Sequence, residues 1–170
     1  MIVHCSKRLA AKLPEVSPTP LEETSPIGSW HAQLFTLDRR QCVMFCHDAS
    51  RYCLFIPGVR KEHFAALGTK WFRQLYLATL KAIGCPGGQI KRVELAIGPI
   101  HFDTATDRSV QGSMNIARRD LEAMRFCREL NVMELEPIGV SCRLNERPTT
   151  VKGKFHWPVK VMQQIAAELS

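Results

Sequence analysis

The sequence predicts an α+β fold with a mainly antiparallel sheet, a three-strand meander over about residues 30–56, and three or four packing helices. In the first third of the chain, β-favouring segments separated by polar turns recur about every 10–11 residues, which is typical of antiparallel hairpins. Further along, apolar residues recur at helical spacing without a regular strand–helix alternation. The 170 residues, of which 45% are hydrophobic, are expected to form one domain.

The chain opens with a predicted strand and a short helix. Met1–Cys5 is β-favouring, and Ser6 can cap a helix over Lys7–Leu13. Pro14 ends this helix, because proline disfavours helical geometry in the residue before it. Residues 14–29 contain four prolines among serine, threonine and glutamate. We expect a flexible Pro-rich loop over this stretch.

Three apolar segments predict the meander. The expected strands are Trp30–Leu37, Gln41–Cys46 and Arg51–Ile56, and polar turns at 38–40 and 47–50 separate them. The middle segment is apolar on both faces, so we place it inside the sheet with other elements packed on each side.

The rest of the chain is predicted to be mostly helical. Gly68 and Gly84 are placed to end helices, and Pro158 occupies a tolerated first helical position. The expected elements are a short helix over 60–67, a helix over 70–83, strands over 90–97 and 100–103, a helix from Ser109, an irregular region over 131–157 and a helix over 158–169.

The charge balance favours a polyanionic partner. The net charge is +7, from 23 Lys and Arg against 16 Asp and Glu. A basic protein of this size attracts nucleic acid, a nucleoprotein complex or an acidic protein. The same charge can also serve only to keep the protein in solution. No run of five or six basic residues marks a dedicated binding tail.

The seven cysteines indicate reduced thiols. Their odd number and irregular spacing do not fit a disulfide framework, so we expect a cytoplasmic protein. No apolar run reaches the roughly 18 residues needed to span a bilayer, so we expect no membrane partner. Cys42, Cys46 and Cys53 suggest zinc at first, but Cys42 and Cys46 lie about 13 Å apart along a strand. We therefore predict buried thiols, no metal and no cofactor.

The stretch 107–115 leads from a predicted strand into a helix. Asp107 or Ser109 can cap the first N–H groups, and those groups together with Arg108 could bind an anion. Ser113 and Asn115 would then add hydrogen-bonding groups. A well-capped helix whose Gly112 packs against the sheet explains the same pattern structurally.

Two motifs resemble those of a small bacterial family of unknown function. The segment 30–42 (WHAQLFTLDRRQC) is similar to its first signature, and 107–115 (DRSVQGSMN) to its second. A third likeness is 144–148 (LNERP), before the last helix. Gln33, Gln41 and Gln111 depart from the family pattern, which usually has Asn, Lys and Leu there.

The resemblance implies one fold over nearly the whole chain and an origin in bacteria or on mobile elements. It carries no reaction to this sequence. It does suggest that the pair at 30–31, the arginines at 39–40 and the stretch 107–115 lie near one another.

Three functions remain open. The first is a non-catalytic module that contacts nucleic acid or a nucleoprotein through a basic surface. The second is a protein–protein regulator or inhibitor. The third is an enzyme acting on a phosphate-containing substrate, with His31, His101, Asp107 and Arg108 in a cleft. No catalytic residue is assigned. The candidate residues for binding nucleic acid or an anion are Trp30, His31, Arg39, Arg40, Arg51, Asp107, Arg108, Ser109, Ser113 and Asn115.

Overall fold

The computed structural model describes residues 1–151 and 153–169 and has the predicted α+β architecture. A π-helical turn spans Leu67–Phe72, and a 3-10 turn spans Val132–Glu134. The strands are β1 (Ile2–Cys5), β2 (Trp30–Leu37), β3 (Arg40–His47), β4 (Cys53–Ile56), β5 (His101–Asp103), β6 (Thr149–Val151) and β7 (Lys154–His156). The helices are α1 (Lys7–Ala10), α2 (Lys61–Ala65), α3 (Arg73–Ala82), α4 (Gly87–Ile97), α5 (Arg108–Cys127), α6 (Pro137–Asn145) and α7 (Pro158–Glu168).

Five strands form the central sheet in the order β4-β3-β2-β1-β5. The meander β2-β3-β4 is antiparallel, as the sequence predicts. Asp38 and Arg39 both have positive φ in its first turn, which matches the twist of a two-residue hairpin. β1 pairs in parallel with both β2 and β5, so the other side of the sheet is parallel. Strands β6 and β7 form a separate hairpin.

The two faces of the sheet carry separate cores. Side chains of α5 and α6 pack against one face of the meander, where they contact a core that includes Met44 of β3 and Phe55 of β4. The opposite face, which includes Trp30 and Phe45, packs against α3, α4 and α7. The middle strand β3 is buried on both sides, as its apolar sequence predicts. Within the described residues, the helices are too short or too polar to cross a bilayer.

Residues 14–29, for which the sequence predicts a flexible Pro-rich loop, form hydrogen bonds with the edge of the sheet. The Ser17 N–H donates to the Phe102 carbonyl (2.8 Å), along the outer edge of β5. The Leu21 N–H donates to Asp103 Oδ2 (2.8 Å). The prolines keep the segment extended, and its backbone groups find partners in the body of the protein.

Two predictions about the second half of the chain are wrong. Residues 90–97, predicted as a strand, lie in α4, where Val93 and Ile97 are four apart and buried. Their β-favouring side chains are overridden by helical packing. The region 131–157, predicted as irregular, contains α6 and the β6–β7 hairpin. Pro137 occupies the first turn of α6, and Glu136 caps it, so proline there begins a helix instead of breaking one.

Helix α6 covers the outer edge of β4. The Asn145 side chain accepts from the Cys53 N–H (2.6 Å) and donates to the Cys53 carbonyl (2.7 Å). The Ser141 hydroxyl accepts from the Phe55 N–H (3.0 Å). Side chains of the helix thus supply the hydrogen bonds that a sixth strand would have made.

A fully buried histidine ends β3. The Nε2–H of His47 donates to the Ile27 carbonyl (2.8 Å), and the Ser50 N–H donates to its Nδ1 (3.2 Å), so the ring is neutral. Burial lowers the pKa of His47 from 6.5 to about 4, although the Ile27 carbonyl and Asp48 favour the charged ring.

We expect the free energy of unfolding to fall as the pH drops from 6.5 towards 4 because of His47. In this window the unfolded state binds a proton that the folded state does not, which costs up to about 1.4 kcal/mol per pH unit. Urea denaturation at several pH values measures the slope. NMR titration of the ring isolates this residue and should give a midpoint near 4. A midpoint near 6.5 in the folded protein would contradict the assignment.

Candidate functional site

The strand register brings two histidines and an aspartate together on one face of the sheet. His4 of β1 is the Cα partner of His31 on β2 and of Asp103 on β5. Residues that pair directly across strands project to the same side. The two imidazole rings lie 4.9 Å apart between centroids. This row of side chains lies beside the first turns of α5.

His4 and Asp103 form a hydrogen-bonded pair with one free ring nitrogen. His4 Nδ1 lies 2.6 Å from Asp103 Oδ1, and the buried carboxylate also accepts from the Leu21 and Ala105 N–H groups. Burial would raise the pKa of Asp103, but these hydrogen bonds and His4 outweigh it and lower the pKa. The ionised carboxylate therefore accepts the Nδ1–H of His4. Among the described residues, His4 Nε2 has no hydrogen-bond partner.

His31 uses both of its ring nitrogens. The Asp107 backbone N–H donates to Nε2 (3.0 Å), so the ring proton is on Nδ1 and donates to Asp48 Oδ1 (2.7 Å). The ring is 4% exposed. His31 therefore fixes the start of α5 against the sheet and has no nitrogen left for a ligand.

The start of α5 is capped by its own sequence. Asp107 Oδ1 accepts from the Ser109 N–H (2.7 Å) and the Val110 N–H (3.0 Å), which confirms that Asp107 caps this helix. The helix begins at Arg108, one residue before the predicted start. The bonds from Val110 and Ser109 lower the pKa of Asp107, and Arg51 and His31 add to the effect. The carboxylate therefore occupies the position that a bound anion would take at this helix end.

A cleft of about 260 Å³ opens between α5 and the ends of β1 and β2. One wall is the β1–β2 side, with His4 and Gln33, and the other is α5, with Gln111 and Asn115. Most of the polar groups in the cleft are neutral hydrogen-bonding groups. The lining residues are His4, Cys5, Ser6, His31, Ala32, Gln33, Thr106, Gln111, Met114 and Asn115.

Several of the candidate residues lie at this cleft or next to it. His31 and Asn115 line it, and Asp107 is bonded to His31. Arg108 is exposed and has no carboxylate partner among the described residues. Ser113 is buried and donates to the backbone of its own helix, so it is structural.

Arg51 lies inside the protein instead of at an open hairpin end. Its guanidinium donates to the Asp48 carbonyl and to Ser109 Oγ (2.9 Å). The residue is 7% exposed. Arg51 therefore joins the turn after β3 to the start of α5, and it is not free to bind phosphate.

Trp30 is not the surface for stacking that the sequence suggests. It is fully buried, with its ring centroid 5.0 Å from those of Phe72 and Tyr76 on the face opposite α5. Because neighbouring residues of a strand point to opposite faces, His31 at the cleft requires Trp30 in the core. Trp30 therefore supports the site without reaching a ligand.

Arg39 and Arg40 lie at the opposite end of β2 from His31. Arg39 lies in the turn after β2 and Arg40 begins β3, whereas His31 lies near the start of β2. Six steps of strand separate His31 from Leu37, the last residue of β2, or about 20 Å at about 3.3 Å per residue. His101 is also elsewhere, at the outer end of β5 beside the Pro-rich segment. The expected grouping therefore holds for His31 and the stretch 107–115 but not for these residues.

The sequence reasoning missed His4, Asp103 and Asp48. His4 lies between Val3 and Cys5 in an apolar strand and looks like an isolated polar residue. Its pairing with Asp103 depends on a parallel contact across 99 positions of sequence, which no local pattern reveals. The alternation within β1 was the available signal, because it places His4 on the face opposite Val3 and Cys5.

The predicted buried thiols are confirmed. Cys42 and Cys46 are fully buried and Cys53 is 2% exposed, and burial raises the pKa of Cys42. Over residues 1–151 and 153–169, no three His, Cys, Asp or Glu side chains are grouped closely enough to hold a metal ion.

Comparison with known proteins identifies the family. No curated protein and no solved structure matches the chain. A family model described as "Domain of unknown function (DUF6933)" matches residues 2–161, which include the strand row, the cleft and α5. The chain therefore belongs to the DUF6933 family.

Proposed function

We propose that the protein is a non-catalytic module that binds nucleic acid along the cleft and the exposed flank of α5. The observation that carries the proposal is a row of polar side chains at helical spacing. Arg108, Gln111, Asn115 and Arg119 follow at steps of three, four and four, so they share one side of the helix. Gln111 and Asn115 line the cleft, and the two arginines extend it at each end.

The two arginines are available for phosphate groups. Arg108 and Arg119 are exposed and have no carboxylate partner within the described part of the chain. Arg118 differs, because its guanidinium pairs with Glu122 (3.3 Å). Exposed guanidinium groups bind phosphate oxygens well because their donors form a planar fork.

The opposite side of the cleft is also basic. Lys7 follows Ser6 of the lining and is exposed, and Arg8 donates to Thr36 Oγ1 (2.8 Å). The nearby carboxylates of Asp48 and Asp103 are already bonded to histidines. A polyanion in the cleft would therefore meet cations at its rims and neutral donors at its floor.

A general acid–base enzyme is the second candidate, and His4 is the observation that favours it. A buried carboxylate that orients a histidine leaves the other ring nitrogen ready to accept or donate a proton. Asp103 meets this requirement at His4 Nδ1, and Nε2, which has no hydrogen-bond partner in the described part of the chain, is available to a substrate. In a binding module, the same nitrogen would donate to or accept from the ligand.

Replacing Arg108 and Arg119 together with glutamine should weaken binding of a fluorescein-labelled oligonucleotide. The slope of log K against log salt is negative, and each lost phosphate contact makes it shallower by about 0.7 on single strands. We therefore expect the magnitude of the slope to fall by about 1.4. Fluorescence anisotropy between 50 and 200 mM salt measures it. An unchanged slope would remove this flank of α5 from the binding surface.

The matched control is Lys81→Gln with Lys91→Gln, which removes the same charge from α3 and α4, on the opposite face of the sheet. This variant should retain the wild-type slope.

His4→Gln separates the two candidate functions, because glutamine keeps a hydrogen-bonding side chain but cannot transfer a proton. Wild-type cleavage of the oligonucleotide that His4→Gln abolishes would favour the enzyme, and binding without cleavage favours the module.

A further inference from the structure

The β6–β7 hairpin presents two aromatic rings to solvent. Its inner face packs on the body of the protein, where Thr149 is buried and the Nε2–H of His156 donates to the Ser50 carbonyl (3.2 Å). Its outer face carries Phe155, which is 81% exposed, and Trp157, which is 44% exposed. The hairpin is therefore anchored on one side and uncovered on the other.

The two rings are neighbours on the same side. Residues two apart on an extended chain project in the same direction, about 7 Å from one another. Trp157 continues the extended backbone of β7, with φ −102° and ψ 113°. Rings at this spacing can each hold one base of an extended strand.

The surroundings of the rings are basic. Lys160 Nζ lies 5.9 Å from the centroid of the Trp157 ring, and Lys154 is exposed on the hairpin beside Phe155. Between residues 147 and 167 the sequence has four basic residues and no acidic one. Aromatic rings beside the exposed lysines fit a ligand that combines flat bases with phosphates.

We propose that this outer face stacks the bases of single-stranded nucleic acid. The hairpin is joined to the start of α5 through the turn after β3, because His156 binds Ser50 and the adjacent Arg51 binds Ser109. A strand held at Arg108 could therefore continue across this turn to Phe155. The inference rests on the proposed function and deepens it, because paired bases in a duplex cannot lie flat on the rings whereas unpaired bases can.

The test is the double variant Phe155→Ala, Trp157→Ala against a labelled 12-nucleotide oligothymidine and a 12-base-pair duplex. Loss of stacking should weaken oligothymidine binding by at least tenfold at fixed salt and leave duplex binding within twofold. Leu95→Ala is the matched control, because this apolar side chain is 81% exposed on α4, which packs on the face of the sheet opposite α5. It should bind like the wild type. Circular dichroism checks that all variants are folded.

The outcomes separate the hairpin from the cleft. If wild-type protein binds oligothymidine and the double variant binds equally well, the hairpin inference fails and the cleft proposal stands. If neither oligonucleotide binds wild-type protein, both fail. Aromatic-dependent binding to anionic phospholipid vesicles without oligothymidine binding would overturn the inference in favour of a membrane surface. Restoration of oligothymidine binding by Phe155→Tyr with Trp157→Phe would support it, since both retain rings.

Discussion

Replacement of Trp30 by alanine should lower the free energy of unfolding by about 3–5 kcal/mol. The indole is fully buried and packs on Phe72, Tyr76 and His47, with centroids 5.0–5.1 Å away. Its removal leaves a large cavity between the sheet and α3, because close-packed neighbours collapse only in part. Urea denaturation followed by circular dichroism measures the loss.

Two further variants separate packing from ligand binding. Trp157→Ala removes an indole that is 44% exposed, so we expect a loss of less than about 1 kcal/mol. Trp30→Phe keeps an aromatic ring in the core and should bind oligonucleotide like the wild type. A folded Trp30→Phe protein with tenfold weaker binding would show that Trp30 contributes to the site after all.

Asn145→Ala should cost a comparable amount, about 3–5 kcal/mol, for a different reason. The side chain makes three buried hydrogen bonds, two with the backbone of Cys53 and one to the Ser141 carbonyl (2.7 Å). Alanine leaves the N–H and the carbonyl of Cys53 buried without partners, at about 1–3 kcal/mol each, whereas the Ser141 carbonyl lies within the backbone ladder of α6. We expect a clear decrease in the urea midpoint.

Asn115→Ala is the matched control for this substitution. Asn115 is exposed at the cleft, and the same change there should shift stability by less than about 0.5 kcal/mol. Equal losses for Asn115→Ala and Asn145→Ala would contradict the role assigned to Asn145. Hydrogen exchange gives a local readout, because the Cys53 amide should lose protection in Asn145→Ala.

The sequence predicted the parts of the fold whose signals are local. The meander follows from alternating apolar residues and polar turns, and the start of α5 from Asp107, whose carboxylate reaches N–H groups two and three residues away. Helix α4 was missed because β-favouring side chains such as Val93 are placed by packing against the core and not by intrinsic preference.

The candidate site was only half predictable for a related reason. His31 and Asp107 belong to motifs that stand out in the sequence, and they lie together in the structure. His4 and Asp103 become partners only when a parallel pairing joins the two ends of the sheet. Trp30 was misplaced because a tryptophan beside a histidine looks the same in a core as at a surface. The alternation of side-chain direction along β2 distinguishes the two, because it places Trp30 and His31 on opposite faces of the sheet.

The covered edges of the central sheet restrict how any protein partner can bind. Many recognition domains accept a peptide as an additional strand, which requires unpaired N–H and C=O groups along an outer strand. Here Asn145 and Ser141 occupy those groups on β4, and Ser17 occupies the Phe102 carbonyl on β5. A partner that adds a strand would first have to displace α6 or the Pro-rich segment. Recognition through side chains on the surface of the helices or the hairpin requires no such rearrangement.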